Sequence, residues 1–577
     1  MRSDRLALAG VMAFALLVLS SGFAMHEPWP ADSPRFAAVA RDMLATGDWL
    51  FPRVGGDLYP DKPPFFFWLM AASMWLGGSV RAGYLLPSLL AGLGSVWLTF
   101  DITRRLFDTH AAVAAGLLLA VTVQFTLQAH TAQIDGTLCF LTTLGLYGLL
   151  RHLLLGPDWR WYAIAGVAAG VGIITKGVGF LPLLVLLPWF AMRRAGMVAA
   201  PSGSALQWLL APALSLAVVA CWLAPMLAAS MDDPALTAYR NEILFGQTID
   251  RYVDATGHRK PFHYHITSVV PWAWLPLSLM LPWLVARWRD DWRRRDARTL
   301  LPLGWAALVF VFFLFSSGKR GVYILPALPA VIIAAAPWLR DMLSLRWPNA
   351  IARTSIALFA VLAVAGYFQL PRIIEENIGA PDPALLALTH GFTVALALVA
   401  SAFVMPWPTR APGLVRFGGF LAVLWLLLGW WIMPRIDDLR SGAPVMRTAR
   451  AALPAGAELA IASPKESLIL HAGGPLANFG HRRTDRDREM MDAAAWLRGN
   501  GARRLVLPDE NVEFCFDTDG ARDIGFAHRR RWLLLEPLAV REDCAAQGDP
   551  AVVIRYEPAA ELPSLVRIVA GILGKSR

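Results

Sequence analysis

Charged residues are scarce in this chain of 577 residues, because Asp, Glu, Lys and Arg together make up only 17% of it. A water-soluble globular protein has roughly a quarter of its residues charged, so this scarcity excludes a soluble cytosolic enzyme. Cysteine is also rare, with four residues and no Cys-x-x-Cys pair, which excludes a disulfide-dense scaffold and disfavours a zinc-thiolate or dithiol redox site. The sequence lacks a Gly-x-Ser-x-Gly elbow, a P-loop and a dinucleotide-binding glycine motif. Serine hydrolysis and nucleotide-driven chemistry therefore have no residues to support them.

Apolar residues dominate instead. They account for 56% of the chain, which carries 24 Trp and has a mean hydropathy of +0.47. This composition predicts a polytopic membrane protein. The net charge of +10 would suggest nucleic acid as the partner of a soluble protein, but Lys and Arg accumulate in a membrane protein to orient its helices. No nucleic-acid partner is therefore predicted.

Apolar segments long enough to cross a bilayer, which takes about 20 residues with some tolerance, recur along the chain. A shorter stretch at 65–76 would reach only about 18 Å as a helix, so we predict that it lies at the membrane interface. We predict 13 spans: 6–24, 84–100, 111–125, 135–155, 161–174, 177–192, 206–229, 266–285, 300–315, 322–339, 351–370, 385–405 and 417–433.

The positive-inside rule orients these spans. With 65–76 at the interface, the arginine-rich connections all fall on one side, which is then cytoplasmic: 104–105, 151–160, 193–194, 287–298, 340–346 and 410–416. The parity of the spans places the first loop, 25–83, and the C-terminal part outside. Arg2, Arg5 and the apolar run after them would also fit a cleavable signal peptide, and cleavage would leave the sidedness of later residues unchanged.

The composition changes after residue 433. Short runs there predict strands at 458–462, 467–470, 503–507, 531–535 and 552–556, and residues 488–498 predict an amphipathic helix. We therefore divide the chain into a transmembrane domain, 1–433, and a small α/β domain, 434–577. Cys515 and Cys544 lie in the second domain. In an oxidising outer compartment they could form a disulfide, and two free thiols are the alternative.

Ionisable side chains concentrate on the predicted outer face. The first loop carries Asp32, Arg35, Tyr59, Asp61 and Lys62. Polar groups are costly at membrane depth, and basic groups outside oppose the positive-inside rule. The set indicates an anion, with a phosphate bound bidentately by Arg and as a point charge by Lys, unless the side chains snorkel to lipid headgroups. Later connections add Asp135, Lys176, Glu242, Arg251, Arg259, Lys319, Arg320 and Tyr323.

Structural alternatives accompany several of these residues. The pattern at 34–46 predicts an amphipathic helix of the kind that lies in the interface plane. Asp135 is a favoured helix N-cap residue, a role that is compatible with substrate positioning. A metal site could use Asp61, His258, His263 and His265, but these residues lack a local ligand spacing such as His-Glu-x-x-His.

Several motifs in succession resemble those of a known family. The first loop reads Pro-Ala-Asp-Ser-Pro-Arg-Phe-Ala at 30–37, Gly-Asp-Trp-Leu-Phe-Pro-Arg at 47–53 and Tyr-Pro-Asp-Lys-Pro-Pro-Phe at 59–65. Further along the chain come Ala-Gln-Ile-Asp-Gly at 132–136, Thr-Lys-Gly at 175–177 and Gly-Lys-Arg-Gly-Val-Tyr at 318–323. In order and in membrane location these resemble the GT-C superfamily of lipid-linked-sugar glycosyltransferases, in the protein O-mannosyltransferase-like branch that includes the lipid A aminoarabinose transferases.

The resemblance implies a GT-C fold and an inverting transfer of a sugar from an undecaprenyl phosphate-linked donor, on the periplasmic side of the bacterial inner membrane. By position, Asp32 matches the catalytic Asp and Asp135 a second acidic residue near the site. The donor phosphate would be held by residues matching Arg35, Tyr59, Lys62 and Tyr323, with Arg251, Arg259, Lys319 and Arg320 as further candidates and Asp61, Lys176 and Glu242 nearby. The implied acceptor is lipid A or another envelope glycan. We expect a monomer that requires no cofactor, although the family leaves room for a divalent metal.

The sequence also departs from the family pattern. The Asp-Glu pair of the family is Asp32-Ser33 here, so the role of that Glu is missing unless Glu27 supplies it, and Glu-Lys-Pro-Pro is replaced by Asp61-Lys62-Pro-Pro. Three alternatives therefore stay open: transfer to exported proteins, a lipid flippase or transporter, and a non-catalytic homologue. A transporter would place its polar site near the bilayer midplane rather than at helix ends.

Overall fold

The computed structural model describes residues 2–29, 32–250, 259–378, 382–405, 411–511, 515–517, 519, 521–559, 561–565 and 567. The first three quarters of the chain are helical. The longer helices of this part are Arg2–Leu19, Ser33–Thr46, Phe65–Gly77, Leu86–Leu106, Thr109–Val121, Val123–Ala129, Ile134–Leu154, Trp159–Lys176, Leu186–Arg194, Leu210–Ala229, Pro234–Asn241, Leu281–Arg294, Ala297–Phe315, Ala327–Ala335, Arg346–Ile378, Pro383–Val404 and Gly413–Leu427.

Apolar helices of spanning length make up the membrane part. Within the described residues, eight helices are long and apolar enough to cross a bilayer, and ten if two bent pairs each count as one span. The bent pairs are Thr109–Val121 with Val123–Ala129, at 65°, and His265–Ala273 with Leu277–Arg294, at 109°. Helices also lie at the predicted spans 6–24 and 161–174, but the count of 13 stays a prediction.

The stretch predicted to lie at the interface is a separate short helix. It runs from Phe65 to Gly77, 13 residues in all, which gives about 20 Å and is too short for about 30 Å of hydrocarbon. Gly78 ends it in the left-handed region at φ 72°, where glycine carries no Cβ penalty. A second short helix, Val80–Gly83, then leads into Leu86–Leu106.

The first loop contains the predicted helix and a small hairpin. The helix spans Ser33–Thr46, with Pro34 in its first turn, where the fixed φ of proline suits a helix start. Strands β1, Arg53–Val54, and β2, Asp57–Leu58, pair antiparallel after it. Arg41 and Asp42, on the polar side of this helix, are buried; its position in the interface plane stays a prediction.

The C-terminal part is an α/β unit built on one mixed sheet. Its strands are β3, Glu458–Ile461; β4, Leu476–Asn478; β5, Arg503–Pro508; β6, Arg522–Ala527; β7, Arg530–Leu535; and β8, Ile554–Tyr556. Their order is β6-β7-β5-β3-β4-β8, with β3, β4 and β5 parallel and the other pairs antiparallel. Helix Arg486–Arg498, predicted from the sequence, packs on the sheet.

One predicted strand is a helix in the structure. Residues 467–470 lie in the short helix Glu466–Leu470. An apolar run of four residues is too short for periodicity to separate strand from helix, and here tertiary packing decides, since the helix is buried against the first-loop helix.

The first loop and the C-terminal sheet share a hydrophobic core. This shared core includes Phe36, Val39 and Phe67 from the loop, with Ile469 and Trp532 from the C-terminal part. The opposite face of the sheet packs against helix Arg486–Arg498 in a core of its own. Because one face of the sheet is completed by the loop, neither partner buries its apolar surface alone. The domain boundary at residue 434 stays a prediction.

A buried polar network crosses the same junction. The Tyr556 hydroxyl donates to Asp42 Oδ1 at 2.6 Å. Arg41 donates to the Tyr556 hydroxyl and to the carbonyls of Leu470 and Ile469. Buried polar groups of this kind cost free energy unless they are hydrogen-bonded, so the network fixes how the loop helix sits on the sheet. Burial raises the pKa of the Asp42 carboxyl.

The structure decides between the two alternatives for Cys515 and Cys544: they are not free thiols. Cys515 and Cys544 are joined by a disulfide across a separation of 29 residues. Cys139 is a free, buried thiol and Cys221 a free, exposed one.

Candidate active site

The candidate site begins where the first-loop helix starts. Asp32 holds the N-cap position of helix Ser33–Thr46, yet its side chain accepts no capping hydrogen bond. Instead the carboxylate lies between two guanidinium groups, 3.7 Å from Arg35 and 3.5 Å from Arg320. Arg320 belongs to the turn after helix Ala297–Phe315, so two segments nearly 300 residues apart in sequence meet at Asp32. The carboxylate is about one-fifth exposed, and it remains accessible to a substrate.

Arg35 connects this carboxylate to Tyr59. The Tyr59 side chain is fully buried, and it hydrogen-bonds with the Arg35 side chain. Burial, with the nearby Asp61 carboxylate, raises the pKa of Tyr59, so the phenol stays neutral and its oxygen accepts from the Arg35 guanidinium. Lys62 donates to the Asp61 backbone carbonyl at 2.8 Å. Asp32, Arg35 and Tyr59 therefore lie together, and Lys62 contacts its neighbour Asp61 in the same loop.

Asp135 and Lys176 form a second ion pair. The Lys176 ammonium donates to Asp135 and lies 4.6 Å from the centre of the Tyr323 ring, a cation–π distance. The capping interpretation of Asp135 is wrong, because Gln133 is the N-cap of helix Ile134–Leu154 and Asp135 lies inside its first turn. A negative charge in the first turn still complements the helix dipole.

Ser33 links these two clusters. Its hydroxyl accepts a hydrogen bond at 3.2 Å from the backbone N–H of Ala132, three residues before Asp135. Ser33 is the residue that replaces the family Glu, and its role here is to join two segments. The carboxylate of Glu27 pairs with Arg81 at 3.0 Å, and its substitution for the family Glu stays a prediction.

The remaining predicted cations occupy different environments. Lys319 is buried and donates to the Ser316 carbonyl. Arg259 is exposed, and its backbone forms an isolated antiparallel bridge with Gly318, next to Lys319. Arg251 lies outside the described residues.

The predicted metal ligands have other partners where the structure describes them. His263 shares a hydrogen bond of 2.9 Å with the Thr267 hydroxyl, and His265 is buried with Nε2 at 3.1 Å from the Arg320 carbonyl. Asp61 pairs with Arg482. His258 lies outside the described residues, and no group of three or more His, Cys, Asp or Glu side chains is arranged to hold a metal ion within those residues.

The C-terminal sheet supplies three further residues that the sequence analysis did not single out. Glu466 receives two hydrogen bonds from Arg35, at 2.6 and 2.7 Å. His481 Nε2 lies 3.6 Å from the same Glu466 oxygen. Arg482 lies 3.4 Å from Asp61 and 3.0 Å from Glu242, and in this way brings Glu242 to the cluster.

All three residues follow the carboxyl ends of parallel strands. Glu466 comes after β3, and His481 and Arg482 come after β4. The carboxyl edge of a parallel sheet is the usual position of ligand-binding residues in α/β folds. Applied to the predicted strand 458–462, this rule is the signal that could have drawn attention to the polar residues at 465–466. No strand was predicted directly before His481 and Arg482, so it could not have found those two.

The electrostatics favour charged Glu466 and neutral His481. Burial opposes ionisation of Glu466, but Arg35, His481 and a backbone hydrogen bond together outweigh it and lower the pKa of this carboxyl. Burial lowers the pKa of His481, against the opposing influence of Glu466. Arg35 thus bridges two carboxylates, Asp32 and Glu466, and its orientation depends on both.

Comparison with known proteins gives a consistent result. Residues 61–224 match the family model described as dolichyl-phosphate-mannose-protein mannosyltransferase. The undecaprenyl phosphate-alpha-4-amino-4-deoxy-L-arabinose arabinosyl transferase 1 of Pseudomonas fluorescens (strain Pf0-1) is 29% identical over 394 residues, which are 64% of this chain and 64% of that relative. The corresponding transferase of Pseudomonas paraeruginosa (strain DSM 24068 / PA7) is 30% identical over 381 residues, covering 64% and 66% of the two chains. The match therefore spans a little under two thirds of the length of these relatives.

The same similarity extends to three-dimensional structure. The crystal structure of ArnT from Cupriavidus metallidurans bound to undecaprenyl phosphate has a TM-score of 0.71 at 21% identity, and the match covers 92% of this chain and 99% of that one. The apo form of the same protein has a TM-score of 0.68. The chain thus has the fold of a GT-C glycosyltransferase. Within that class it resembles the aminoarabinose transferases in sequence and ArnT in fold.

Proposed function

We propose that the chain is an integral-membrane, inverting glycosyltransferase that moves a sugar from an undecaprenyl phosphate-linked donor to lipid A or a related envelope glycan. The observation that carries the proposal is the Asp32 carboxylate between Arg35 and Arg320, in a loop that also carries Lys62. A structural neighbour of the chain was crystallised with undecaprenyl phosphate, and the relatives are named as aminoarabinose transferases.

The cations have a clear task in such a reaction. The bond between the anomeric carbon and the phosphate oxygen breaks, its electron pair stays on the phosphate, and undecaprenyl phosphate leaves. Fixed positive charge stabilises the charge that develops on that oxygen. Arg35 and Lys62 supply this charge, and Arg320 and Lys176 complete it from neighbouring segments.

Asp32 acts at the attacking side. For a hydroxyl acceptor, the carboxylate accepts the hydroxyl proton as the new bond to the anomeric carbon forms. For a phosphate acceptor, which is already an anion, Asp32 orients the acceptor and stabilises the positive charge that builds on the sugar ring. A single displacement inverts the anomeric configuration, so no second carboxylate is needed as a nucleophile.

The proposal includes a location. The arginine-rich connections face the cytoplasm by the positive-inside rule, which leaves the first loop and the C-terminal sheet in the periplasm. The protein acts there as a monomer in the bacterial inner membrane, on lipid substrates that reach the site from the bilayer. The 13-span arrangement belongs to this proposal.

A transfer assay tests the proposal. Purified full-length chain in detergent is incubated with total polyprenyl-linked sugars and lipid A, and lipid A is analysed by mass spectrometry. We expect a sugar increment with the wild type, and its loss with Asp32→Asn and with Lys62→Ala. The matched controls Asp232→Asn and Lys260→Ala remove exposed charges and should retain the increment.

The other outcomes are equally informative. An increment on exported proteins instead of lipid A would overturn the acceptor and leave the reaction class in place. The absence of transfer to every acceptor, by a protein that remains folded in detergent, would overturn the enzyme assignment. Equal activity in Asp32→Asn and wild type would overturn the role given to Asp32.

A further inference from the structure

A group of basic residues lies beside the site without a role in it. Lys465 follows β3, next to Glu466, and Arg529 lies in the turn between β6 and β7. Arg440 ends the short helix Asp437–Arg440, which packs against β6. Strands β5 and β7 pair antiparallel, with Pro508 opposite Trp532. The turn after β6 therefore lies at the same edge of the sheet as Lys465.

These three cations lack the acidic partners that their neighbours have. Arg530 pairs with Glu510 at 2.8 Å and Arg486 with Glu489 at 2.6 Å. By contrast, the structure gives the side chains of Lys465, Arg440 and Arg529 no ion pair and no hydrogen bond with any described residue. The Arg440 guanidinium stacks 5.3 Å from the centre of the Trp29 ring. We call Arg440, Lys465 and Arg529 the basic triad.

The turn that presents Arg529 is built at a conformational cost. Ala527 pairs with Arg530, so His528 and Arg529 form a two-residue hairpin connection. Both have positive φ, 57° and 63°, which is the geometry that favours Asn-Gly in such turns. Non-glycine residues in this region are energetically costly and cluster at functional sites. The His528 Nε2 atom is shielded from solvent and also has no hydrogen-bond partner.

The local potential agrees with this geometry. Burial and the nearby Arg530 lower the pKa of Lys465, against the opposing influence of Glu466 and Glu510. Burial lowers the pKa of His528 to about 4; Glu466 opposes this shift, and Lys465 and Arg440 add to it. Basic side chains gathered at one edge, without ion pairs of their own, attract anions.

The basic triad adjoins the reacting carboxylate. Lys465 directly precedes Glu466, which holds Arg35, and Arg35 lies 3.7 Å from Asp32. Trp29, under Arg440, comes three residues before Asp32 in the same loop. An anion bound by the triad would therefore lie next to the site while leaving Arg35 and Lys62 to the donor phosphate.

We propose that Arg440, Lys465 and Arg529 bind a phosphate group of the acceptor, a phosphorylated glycolipid, and so present it to the site. The inference rests on the proposed function for the identity of the acceptor. Two guanidinium groups and one ammonium suit a phosphate, because Arg donates bidentately and Lys adds a point charge.

The test measures binding without turnover. Full-length protein in detergent is titrated with bis-phosphorylated lipid A, with the same lipid after removal of its phosphates, and with undecaprenyl phosphate, in the absence of a sugar donor. The test variant is Lys465→Ala with Arg529→Gly. Glycine suits the positive φ of the turn, so this variant relieves strain and should fold at least as well as the wild type. The control is Arg498→Ala with Arg531→Ala, which removes two paired, exposed cations of the same unit.

The expected result has three parts. The test variant should bind phosphorylated lipid A at least tenfold more weakly, bind undecaprenyl phosphate as the wild type does, and bind the dephosphorylated lipid with unchanged, low affinity. The control should match the wild type throughout. Inorganic phosphate should compete only at concentrations far above those of the lipid, which identifies the lipid-borne phosphate as the ligand.

Other results would overturn the inference. Unchanged affinity of the test variant, an equal loss in the control, or competition by inorganic phosphate as strong as that of the lipid would each reject an acceptor site. Failure of the proposed function looks different. If the proposed function fails but the acceptor site is real, the test variant still loses phosphate-dependent binding of lipid A. The wild type, however, transfers no sugar to lipid A in the transfer assay.

Discussion

The Glu466–Arg35 contact allows a quantitative prediction. Removing one partner of a fully buried ion pair costs about 3–5 kcal/mol. Glu466 is nearly buried, but Arg35 is 27% exposed and keeps Asp32 and Tyr59 as partners. We therefore expect Glu466→Gln to weaken the interaction that orients Arg35 by about 1–2 kcal/mol. If this loss raises the activation free energy by the same amount, kcat/KM falls by about 5- to 30-fold.

The assay is a double-mutant cycle on transfer kinetics. Glu466→Gln, Arg35→Ala and the double variant are compared with the wild type in detergent, and Glu466→Asp is included as a conservative rescue. If Glu466 acts by orienting Arg35, its substitution has little further effect once Arg35 is absent. Fully additive losses would refute this reasoning. Glu510→Gln is the control, because Glu510 is exposed and pairs with Arg530 outside the site; exposed pairs contribute about 0–1 kcal/mol.

Two stability predictions follow. Burial lowers the pKa of His471 and of His528 to about 4, below the value of about 6.5 in an unfolded chain, so both contribute stability above pH 6.5 that is lost as the pH falls toward 4. At pH 5 the loss of stability is about 2 kcal/mol for each residue. We expect the thermal unfolding temperature of the wild type to fall accordingly between pH 7 and pH 5. His471→Gln should reduce this acid sensitivity, and the control His263→Gln should leave it unchanged, since His263 is exposed. Tyr556→Phe removes the hydrogen bond to the buried Asp42 carboxylate. It should lower the free energy of unfolding, measured with denaturant, by about 1.5–3 kcal/mol. An unchanged unfolding transition would show that the network does not hold the loop on the sheet.

Local pattern predicted much of the fold. The amphipathic pattern predicted a helix at 34–46, and the length of the apolar run identified 65–76 as too short to span. Both features depend on residues that are close together in sequence, and both are confirmed. The burial of Arg41 was not predictable in this way, because it requires carbonyls near residue 470.

The candidate site was predictable to the same extent. Motifs in the first loop identified Asp32, Arg35 and Tyr59, which meet in the structure. Glu466 has no motif around it, and it reaches Arg35 across 431 residues of chain. Pairing over such a distance depends on how the sheet packs on the loop, and that packing is a property of the whole fold rather than of any short segment.

The core shared by the first loop and the C-terminal sheet can form only late in translation. The first loop is translated about 430 residues before Glu466, and at about 5–20 residues per second this interval lasts on the order of 20–90 s. Throughout it, Phe36 and Val39 have no sheet to cover them, and Arg35 lacks one of its two carboxylates. The site is therefore completed only when the last part of the chain has been made. A chain that ends before residue 466 therefore lacks the carboxylate that orients Arg35 from the sheet.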